Sequence, residues 1–260
     1  MKKLISLTFV LSLFILSCSS NDSQDNSNSG PVLVRKTITT SSQGTVTTNI
    51  NYNGNKIVNA PSSNGEETKY YYTGDLITKT ETYSNNVLFR SVLYSYNSQN
   101  ELISGVELNH NTNYGTKTIL TYNSNGTISY NMYDGDLISQ TWLWGTYTAT
   151  LTNGEITSFK DENTNFVETC IYDLKNTTMK NVLGTEKLIN RIGSGTYRNI
   201  GGKFHNLVEQ KTTPQTGNQY IFRSIQYTYN SDDYPTTGSR TTYTSNGAIT
   251  AVINISYFYE

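Results

Sequence analysis

The sequence predicts an all-β protein: an antiparallel meander of repeated hairpins that forms one large curved or partly closed sheet. Three observations lead to this fold class. Tyrosine and threonine, which suit the pleated surface of strands, are abundant, and tyrosine alone occurs 21 times. Turn signals of the Asn-Gly and Asp-Gly kind recur at short spacing along the chain. The runs between these turns alternate between apolar and polar residues, as half-buried strands do.

The first residues are typical of a secretion signal and not of the sheet. Lys2-Lys3 gives a positive start, and the thirteen residues 4–16 are almost wholly apolar. A helix of that length spans only about 20 Å, whereas the hydrocarbon core of a bilayer is roughly 30 Å thick. The segment Phe14-Ile15-Leu16-Ser17-Cys18 resembles the lipobox of bacterial lipoproteins. The resemblance implies that residues 1–17 are removed and that Cys18 is lipidated, which makes the membrane a partner of the mature chain.

Residues 18–30 form a polar tether, since Ser19 to Gly30 contains no apolar residue that a core could bury. Ser19, rather than Asp, follows the cysteine, and this resembles the sorting signal of outer-membrane lipoproteins. We therefore expect an outer membrane lipoprotein, on either the periplasmic face or the cell surface. Residues 31–260 remain as a single β-rich domain.

Charge and cysteine content exclude some classes of partner and linkage. The full chain has a net charge of −1, and loss of Lys2 and Lys3 leaves −3. Without a basic excess, nucleic acid is not expected as a partner. Apart from Cys18 the chain has one cysteine, Cys170, which cannot form an internal disulfide and is expected to be a small buried residue.

One short pattern repeats: an aromatic residue, two or three small polar residues, Gly or a substitute, one residue, and an aliphatic residue. Residues 122–128 (YNSNGTI) and 243–249 (YTSNGAI) are the clearest copies. Looser or shorter copies are TSSQGTV (40–46), YNSQNEL (96–102), YTGDL (72–76), YDGDL (133–137) and TNGEI (152–156). Asn-Gly and Asp-Gly accept the positive φ of hairpin loops, so Gly126 and Gly247 are expected at positive φ or in bulges.

Alternation assigns faces to the strands. One face of the last run carries Ile249, Ala251, Ile253, Ile255, Tyr257 and Tyr259; an earlier run carries Ile221, Arg223, Ile225, Tyr227 and Tyr229; a middle run carries Ile138, Gln140, Trp142 and Trp144. The opposite faces are mainly polar, so one face is expected to be packed and the other wet. Residues 173–206 break the pattern with helical spacing and several glycines. We predict a loop and short-helix insertion there that covers part of the apolar face.

The tyrosine-framed turns resemble the YD-type repeats of Rhs-like proteins in a degenerate form. In the C-terminal third, YDLKN (172–176), VLG (182–184), HNLV (205–208) and YNSDDYPT (229–236) follow in an order that resembles Bacteroidota lipoproteins of unknown function. The chain has Asn176-Thr177 where that family usually has Asn-Pro, and Asp233 where it usually has Gly. The resemblance implies the fold and the location, and it implies no activity.

No catalytic or metal constellation stands out in the sequence. His110 and His205 have no Cys or second His at ligand spacing, so no metal is expected, and both are interpreted as solvent-facing loop residues. The acidic pairs Asp161-Glu162 and Asp232-Asp233 are adjacent residues, which point to opposite faces of a strand and do not make a glycosidase pair. No cofactor is expected.

One feature of the sequence suggests a binding function: the aromatic cluster Tyr130, Tyr133, Trp142, Trp144 and Tyr147. Exposed on a sheet, such residues stack on sugars or dock a protein; packed under the insertion they are core, which is the favoured interpretation. Two functions remain open. The first is a non-enzymatic binding or scaffold module for an envelope glycan, peptide or protein. The second is an envelope-polymer hydrolase whose site no motif reveals.

Overall fold

A computed structural model describes residues 30–188 and 202–260. The described part of Pro31–Glu260 forms one compact unit. Across the two described ranges, no helix combines the length and the apolar character needed to cross a membrane.

The regular secondary structure of the described residues is almost all β-strand, which confirms the predicted fold class. The strands are β1 (Val34–Ser41), β2 (Gly44–Asn49), β3 (Asn51–Asn53), β4 (Lys56–Pro61), β5 (Glu66–Thr73), β6 (Leu76–Ser84), β7 (Val87–Tyr96), β8 (Leu102–Asn109), β9 (Tyr114–Tyr122), β10 (Thr127–Gly135), β11 (Gln140–Thr152), β12 (Glu155–Asp161), β13 (Val167–Tyr172), β14 (Leu207–Thr213), β15 (Tyr220–Tyr229), β16 (Pro235–Tyr243) and β17 (Ile249–Tyr259). In the described part of the predicted insertion, Thr185–Lys187 forms a 3-10 turn.

All 17 strands belong to one antiparallel sheet. Successive strands pair with each other, except that β2 and β3 follow one another as a bent strand that pairs first with β1 and then with β4. The last strand, β17, returns to pair with β1, where Tyr257 lies opposite Thr37. Leu33 and Glu260 also exchange backbone hydrogen bonds of 3.1 and 3.2 Å. The sheet is therefore nearly closed and barrel-like, with a seam that is not fully sealed.

Alternate connections of a meander lie at the same end of the sheet. The insertion joins β13 to β14, and we name the end of the sheet at which it lies the closed end. The insertion lies across that end: the Leu183 amide donates to the Asn55 carbonyl at 3.0 Å, and the Asn181 side-chain amide donates to the Val32 carbonyl at 3.0 Å. Val182 is buried in the cluster that holds Ile57, which confirms that the insertion covers apolar residues of the sheet. The opposite end, named the open end, carries only short turns among the described residues.

The side chains of the inner face fall into three buried clusters. The first lies under β7–β12 and includes Leu102, Ile128, Tyr130, Met132, Tyr147 and Phe159. The second lies where β1, β3, β4 and the insertion meet, and the third consists of Cys170 and Leu207. Cys170 is buried, as its apolar character predicts.

The repeated turns adopt the predicted geometry. Gly126 has φ 80° and Gly247 has φ 84°, both in the left-handed region. In each turn a backbone hydrogen bond of 3.0 Å closes the loop at the glycine, from Gly126 to Asn123 and from Gly247 to Thr244. Asn100, with φ 60°, takes the place of glycine in the YNSQNEL copy. The repeat is thus a hairpin loop with one position that requires Gly or Asn.

Substitution of Gly126 by Val should destabilise the protein by about 1 kcal/mol or more, because a β-branched residue resists positive φ. Open space surrounds the position of a Cβ at Gly126, so the cost is conformational and not steric. Gly126→Asn is the matched control, and it should retain most of the stability, as Asn100 does in its own turn. Denaturant unfolding measures both. Equal losses in the two variants would contradict the φ argument.

The recurring tyrosines have a second role that the turn pattern does not show. Several of them end a strand at the closed end and donate their hydroxyl to a backbone carbonyl at the start of a neighbouring strand. These tyrosine clasps are Tyr52 to Val34 (2.9 Å), Tyr96 to Ile77 (2.7 Å), Tyr122 to Leu102 (3.1 Å), Tyr172 to Ile156 (2.8 Å) and Tyr259 to Pro235 (2.7 Å). Each clasp joins the two strands of one hairpin at the end away from their connecting turn, with β2 and β3 counted as one bent strand, so it fastens the free end of that hairpin.

Register shifts correct all three of the predicted faces. A shift between Thr242 and Tyr243 places Ile249 opposite Tyr243 on the outer face, so Ile249 does not share the face of Ala251. A bulge between Gln210 and Lys211 places Ile221 opposite Lys211 on the outer face, so Ile221 does not share the face of Arg223. Two further shifts interrupt β11, and Ile138 lies in the turn before the strand begins. Strict alternation therefore fails for the run Ile138, Gln140, Trp142, Trp144, because each bulge adds one residue to the strand.

The predicted Asp134-Gly135 turn is also wrong. Strand β10 continues through Gly135, and the chain reverses at residues 136–139. There the Asp136 carboxylate accepts hydrogen bonds from the Ile138 and Ser139 amides, both at 2.8 Å. Gly135 is needed for close approach instead, since a Cβ there would meet the Ser139 carbonyl oxygen at 1.8 Å.

Candidate functional site

The structure divides the aromatic cluster that the sequence singles out. Tyr130 and Tyr147 lie directly opposite each other on β10 and β11 and are buried, with exposed fractions of 0% and 3%. Phe159 packs on both, with ring centroids 5.2 Å from Tyr130 and 5.0 Å from Tyr147. These two tyrosines belong to the core.

The other three members lie towards the open end. Trp144 is half-buried and packs edge-on against Tyr147 at 6.0 Å. Tyr133 is half-buried and lies opposite Leu143. Trp142 lies opposite Asp134, and 67% of its surface is exposed. Of the five residues, Trp142 therefore keeps the accessible aromatic surface that stacking on a ligand requires.

Substitution separates these roles. Tyr130→Ala should cost roughly 3–5 kcal/mol of unfolding free energy, because it leaves a cavity beside Phe159. Trp142→Ala should change the stability by no more than about 0.5 kcal/mol, since an exposed side chain loses little packing. Chemical denaturation followed by circular dichroism measures both. A loss above about 2 kcal/mol in Trp142→Ala would place this tryptophan in the core.

A polar group lies on the inner face of three neighbouring strands, and we name it the arginine centre: Gln210, Arg223 and Arg240. Gln210 on β14 lies directly opposite Arg223 on β15. Arg240 on β16 lies opposite Ile225, so it is the diagonal neighbour of Arg223. Directly opposite residues have Cβ atoms about 5 Å apart and diagonal ones about 7 Å, so the three side chains are within reach of one another.

The arginine centre is buried and incompletely satisfied. Gln210 has an exposed fraction of 0%, and both polar atoms of its side chain lack a hydrogen-bond partner. Arg223 is 7% exposed, and its Nε and the Nε of Arg240 also lack hydrogen-bond partners. Buried polar groups are nearly always paired, and leaving one unpaired costs about 1–3 kcal/mol.

The electrostatics of the arginine centre are positive. Burial lowers the pKa of Arg223, and the nearby charge of Arg240 lowers it further, while Glu168 acts in the opposite direction. Glu168 lies on β13 and is buried. Two arginines against one carboxylate leave an excess positive charge on this part of the inner face.

In the sequence, Arg223 shares a strand face with apolar residues, and this pattern alone indicates no site. The available signal was a charged residue at a position where alternation demands an apolar one. Gln210 and Arg240 lie in other strands, and only the sheet register brings them beside Arg223. The centre therefore could not be assembled from sequence spacing.

At the closed end, Glu155 and His205 take part in holding the insertion in place. Glu155 is buried, and its carboxylate accepts backbone hydrogen bonds from Lys203, Phe204 and His205 at 2.7, 2.7 and 2.8 Å. His205 Nδ1 lies 3.5 Å from the same carboxylate. The expectation of a solvent-facing His205 is therefore wrong, because this backbone anchor holds it half-buried beside Glu155.

His110 is also half-buried, and its Nε2 lies 3.0 Å from Ser91 Oγ. Among residues 30–188 and 202–260, no group of three or more His, Cys, Asp or Glu is placed to hold a metal ion. Cys18 lies outside the described residues, so its lipidation stays a prediction.

Comparisons with known proteins give the following. No family model and no curated protein matches the chain. Among solved structures, a porin-like protein from Bacteroides uniformis is 12% identical, with a TM-score of 0.37, over 83% of this chain and 78% of that one. A porin-like protein from Bacteroides vulgatus is 11% identical, with a TM-score of 0.41, over 87% of this chain and 99% of that one. The function has to be inferred from the chain's own residues.

Proposed function

We propose that the protein is a non-enzymatic binding module of the cell envelope, anchored in the outer membrane through a lipidated Cys18. Its ligand is an envelope glycan, peptide or protein that enters at the open end of the sheet. The placement rests on the positive start, the apolar run and the lipobox-like residues 14–18, and on the resemblance to Bacteroidota lipoproteins.

One observation carries the binding proposal: the two ends of the nearly closed sheet differ. The insertion lies across the closed end, whereas the open end carries short turns and the exposed Trp142. An aromatic residue at the rim and polar groups on the inner face are the features of a ligand site.

The residues on the outer face of the sheet support the proposal that this face is in contact with water. Lys69 lies opposite Glu81 on this face, and Tyr71 lies opposite Lys79. The carboxylate of Glu81 accepts a hydrogen bond from the Tyr71 hydroxyl at 2.6 Å and contacts Lys79 at 2.9 Å, and these partners lower its pKa to about 2. Charged networks of this kind are stable at a surface that water solvates.

The anchor and the binding site have separate tests. Mass spectrometry of the mature protein should show a diacylated or triacylated Cys18 at the N-terminus. A mature chain that starts elsewhere, or an unmodified Cys18 thiol, would remove the lipoprotein part of the proposal and leave the binding part standing.

Binding is tested with arrays of envelope glycans and peptidoglycan fragments, followed by titration calorimetry of the strongest binder. Trp142→Ala should weaken that binding roughly tenfold, equivalent to about 1.4 kcal/mol. Phe258→Ala is the matched control, because Phe258 is an exposed aromatic on the outer face, and it should bind as the wild type does. Equal affinities in the wild type and Trp142→Ala would contradict a site at this rim. Turnover of a fragment, abolished by one acidic or histidine substitution, would favour the hydrolase instead.

A further inference from the structure

We propose that the arginine centre (Gln210, Arg223 and Arg240) binds an oxyanion, a carboxylate, sulfate or phosphate group carried by the ligand. The inference deepens the proposed binding function and rests on it. It assigns the ligand an acidic group and names the residues that hold it.

The position of the centre makes it reachable from the open end. Gln210, Arg223 and Arg240 each lie three residues from the end of their strand at that side, since β14 ends at Thr213, β15 begins at Tyr220 and β16 ends at Tyr243. Three residues of strand correspond to about 10 Å. Arg240 is only half-buried, so part of its side chain is accessible.

The chemistry of the three side chains fits an oxyanion. A guanidinium presents its N–H donors as a planar fork that matches carboxylate, sulfate and phosphate oxygens. The Nε donors of Arg223 and Arg240 and the amide of Gln210 are unpaired, so donors are available without breaking existing hydrogen bonds at these atoms. The two arginines carry more positive charge than Glu168 neutralises, and this excess favours an anion rather than a neutral ligand.

Another inner-face arginine shows what a satisfied arginine looks like in the same sheet. Arg90 on β7 pairs with Glu107 on β8, with Nε 2.8 Å from a carboxylate oxygen. By register these two residues belong to the same face as Tyr94 and Val92. Arg90 is therefore a matched control for the loss of one inner-face arginine.

The test uses residues 31–260 with sodium glucuronate, sulfate and phosphate as probes, each compared with chloride at equal ionic strength. Titration calorimetry gives the affinity and thermal unfolding gives the Tm. The wild type and Arg90→Gln should show a saturable rise in Tm with at least one probe, and the probe that binds identifies the oxyanion. Arg240→Gln should weaken binding at least tenfold. Sulfate and phosphate also stabilise proteins without binding, so only the difference between the two variants counts.

The variants also separate a binding role from a structural one. Because Arg223 and Arg240 are like charges, Arg240→Gln should raise the Tm in chloride or leave it unchanged; a purely structural arginine would lower it. Gln210→Leu, which keeps both charges, provides a second variant and should weaken oxyanion binding without loss of folding. No saturable response to any probe in the wild type, or equal responses in Arg240→Gln and Arg90→Gln, would overturn the proposal. If Trp142→Ala loses glycan binding while Arg240→Gln retains it, the result supports the proposed binding function and refutes the proposed oxyanion site.

Discussion

Raising the pH through the range from about 10 to 12 should unfold this protein cooperatively. Burial raises the pKa of Tyr70, Tyr122 and Tyr257 from 10.0 to about 12. The clasp tyrosines Tyr96 and Tyr259 also have raised pKa values, and an ionised hydroxyl cannot donate to a carbonyl. Alkali therefore opposes both the burial of these rings and the clasps that fasten the two strands of a hairpin.

The direction of the pH effect follows from proton linkage. In the unfolded chain tyrosine titrates near pH 10, so the folded state holds these protons more tightly than the unfolded state does. The stability that this difference provides is fully present below pH 10 and is lost as the pH rises through the folded values. A tyrosine shifted to about 12, such as Tyr70, loses about 2 kcal/mol of stabilisation by pH 12. Since domains are stable by about 5–15 kcal/mol, a few such residues suffice to unfold one.

Ultraviolet absorbance of tyrosinate and circular dichroism, recorded in one titration, measure this effect. Most of the tyrosinate signal should appear late and together with the loss of the β spectrum, whereas in denaturant it should appear near pH 10. Tyr96→Phe keeps the ring and removes one clasp, so at neutral pH it should cost about 1 kcal/mol. A gradual titration centred on pH 10, with the β spectrum unchanged, would show that the tyrosines are not buried.

Local sequence signals predict much of this fold, because turn chemistry and the strand period act over a few residues. The loops at Gly126 and Gly247, the meander and the insertion at 173–206 all follow from such signals. The closure of β17 on β1 does not, since it joins the two ends of the chain and no local pattern encodes it. The bulges in β11 and β15 are not predicted by local signals either, because they add a residue without altering the apolar content of the strand.

The candidate site was harder to predict than the fold. The aromatic pattern includes Trp142, yet it also includes Tyr130 and Tyr147, which are buried in the core cluster that contains Phe159. The arginine centre draws one residue from each of three strands, so it depends on register over long sequence separations. The tyrosine clasps likewise bond to backbone carbonyls 16 to 24 residues away along the chain, and backbone carbonyls carry no sequence signature.

The insertion should lose its anchor when Glu155 is replaced. Glu155 is 4% exposed, and its carboxylate accepts hydrogen bonds from three consecutive backbone amides, those of Lys203, Phe204 and His205. Hydrogen bonds to a charged group contribute about 1.5–3 kcal/mol each, and unpaired amides in a buried site add a penalty. Glu155→Ala should therefore destabilise the domain by roughly 3–5 kcal/mol, a large part of its expected stability.

A comparison of three variants shows whether the loss of stability comes from the hydrogen bonds of the Glu155 carboxylate to the insertion. Glu155→Gln keeps an acceptor oxygen without the charge and should lie between the wild type and Glu155→Ala. Glu101→Ala is the matched control, because Glu101 is an exposed turn carboxylate that accepts from the Asn97 side chain, and its loss should cost no more than about 1 kcal/mol. Denaturant unfolding gives the free energies, and limited trypsinolysis should cut the insertion of Glu155→Ala, at its Lys and Arg residues, faster than that of the wild type. Equal stability of Glu155→Ala and Glu101→Ala, with the insertion equally resistant, would show that this buried carboxylate does not hold the insertion on the sheet.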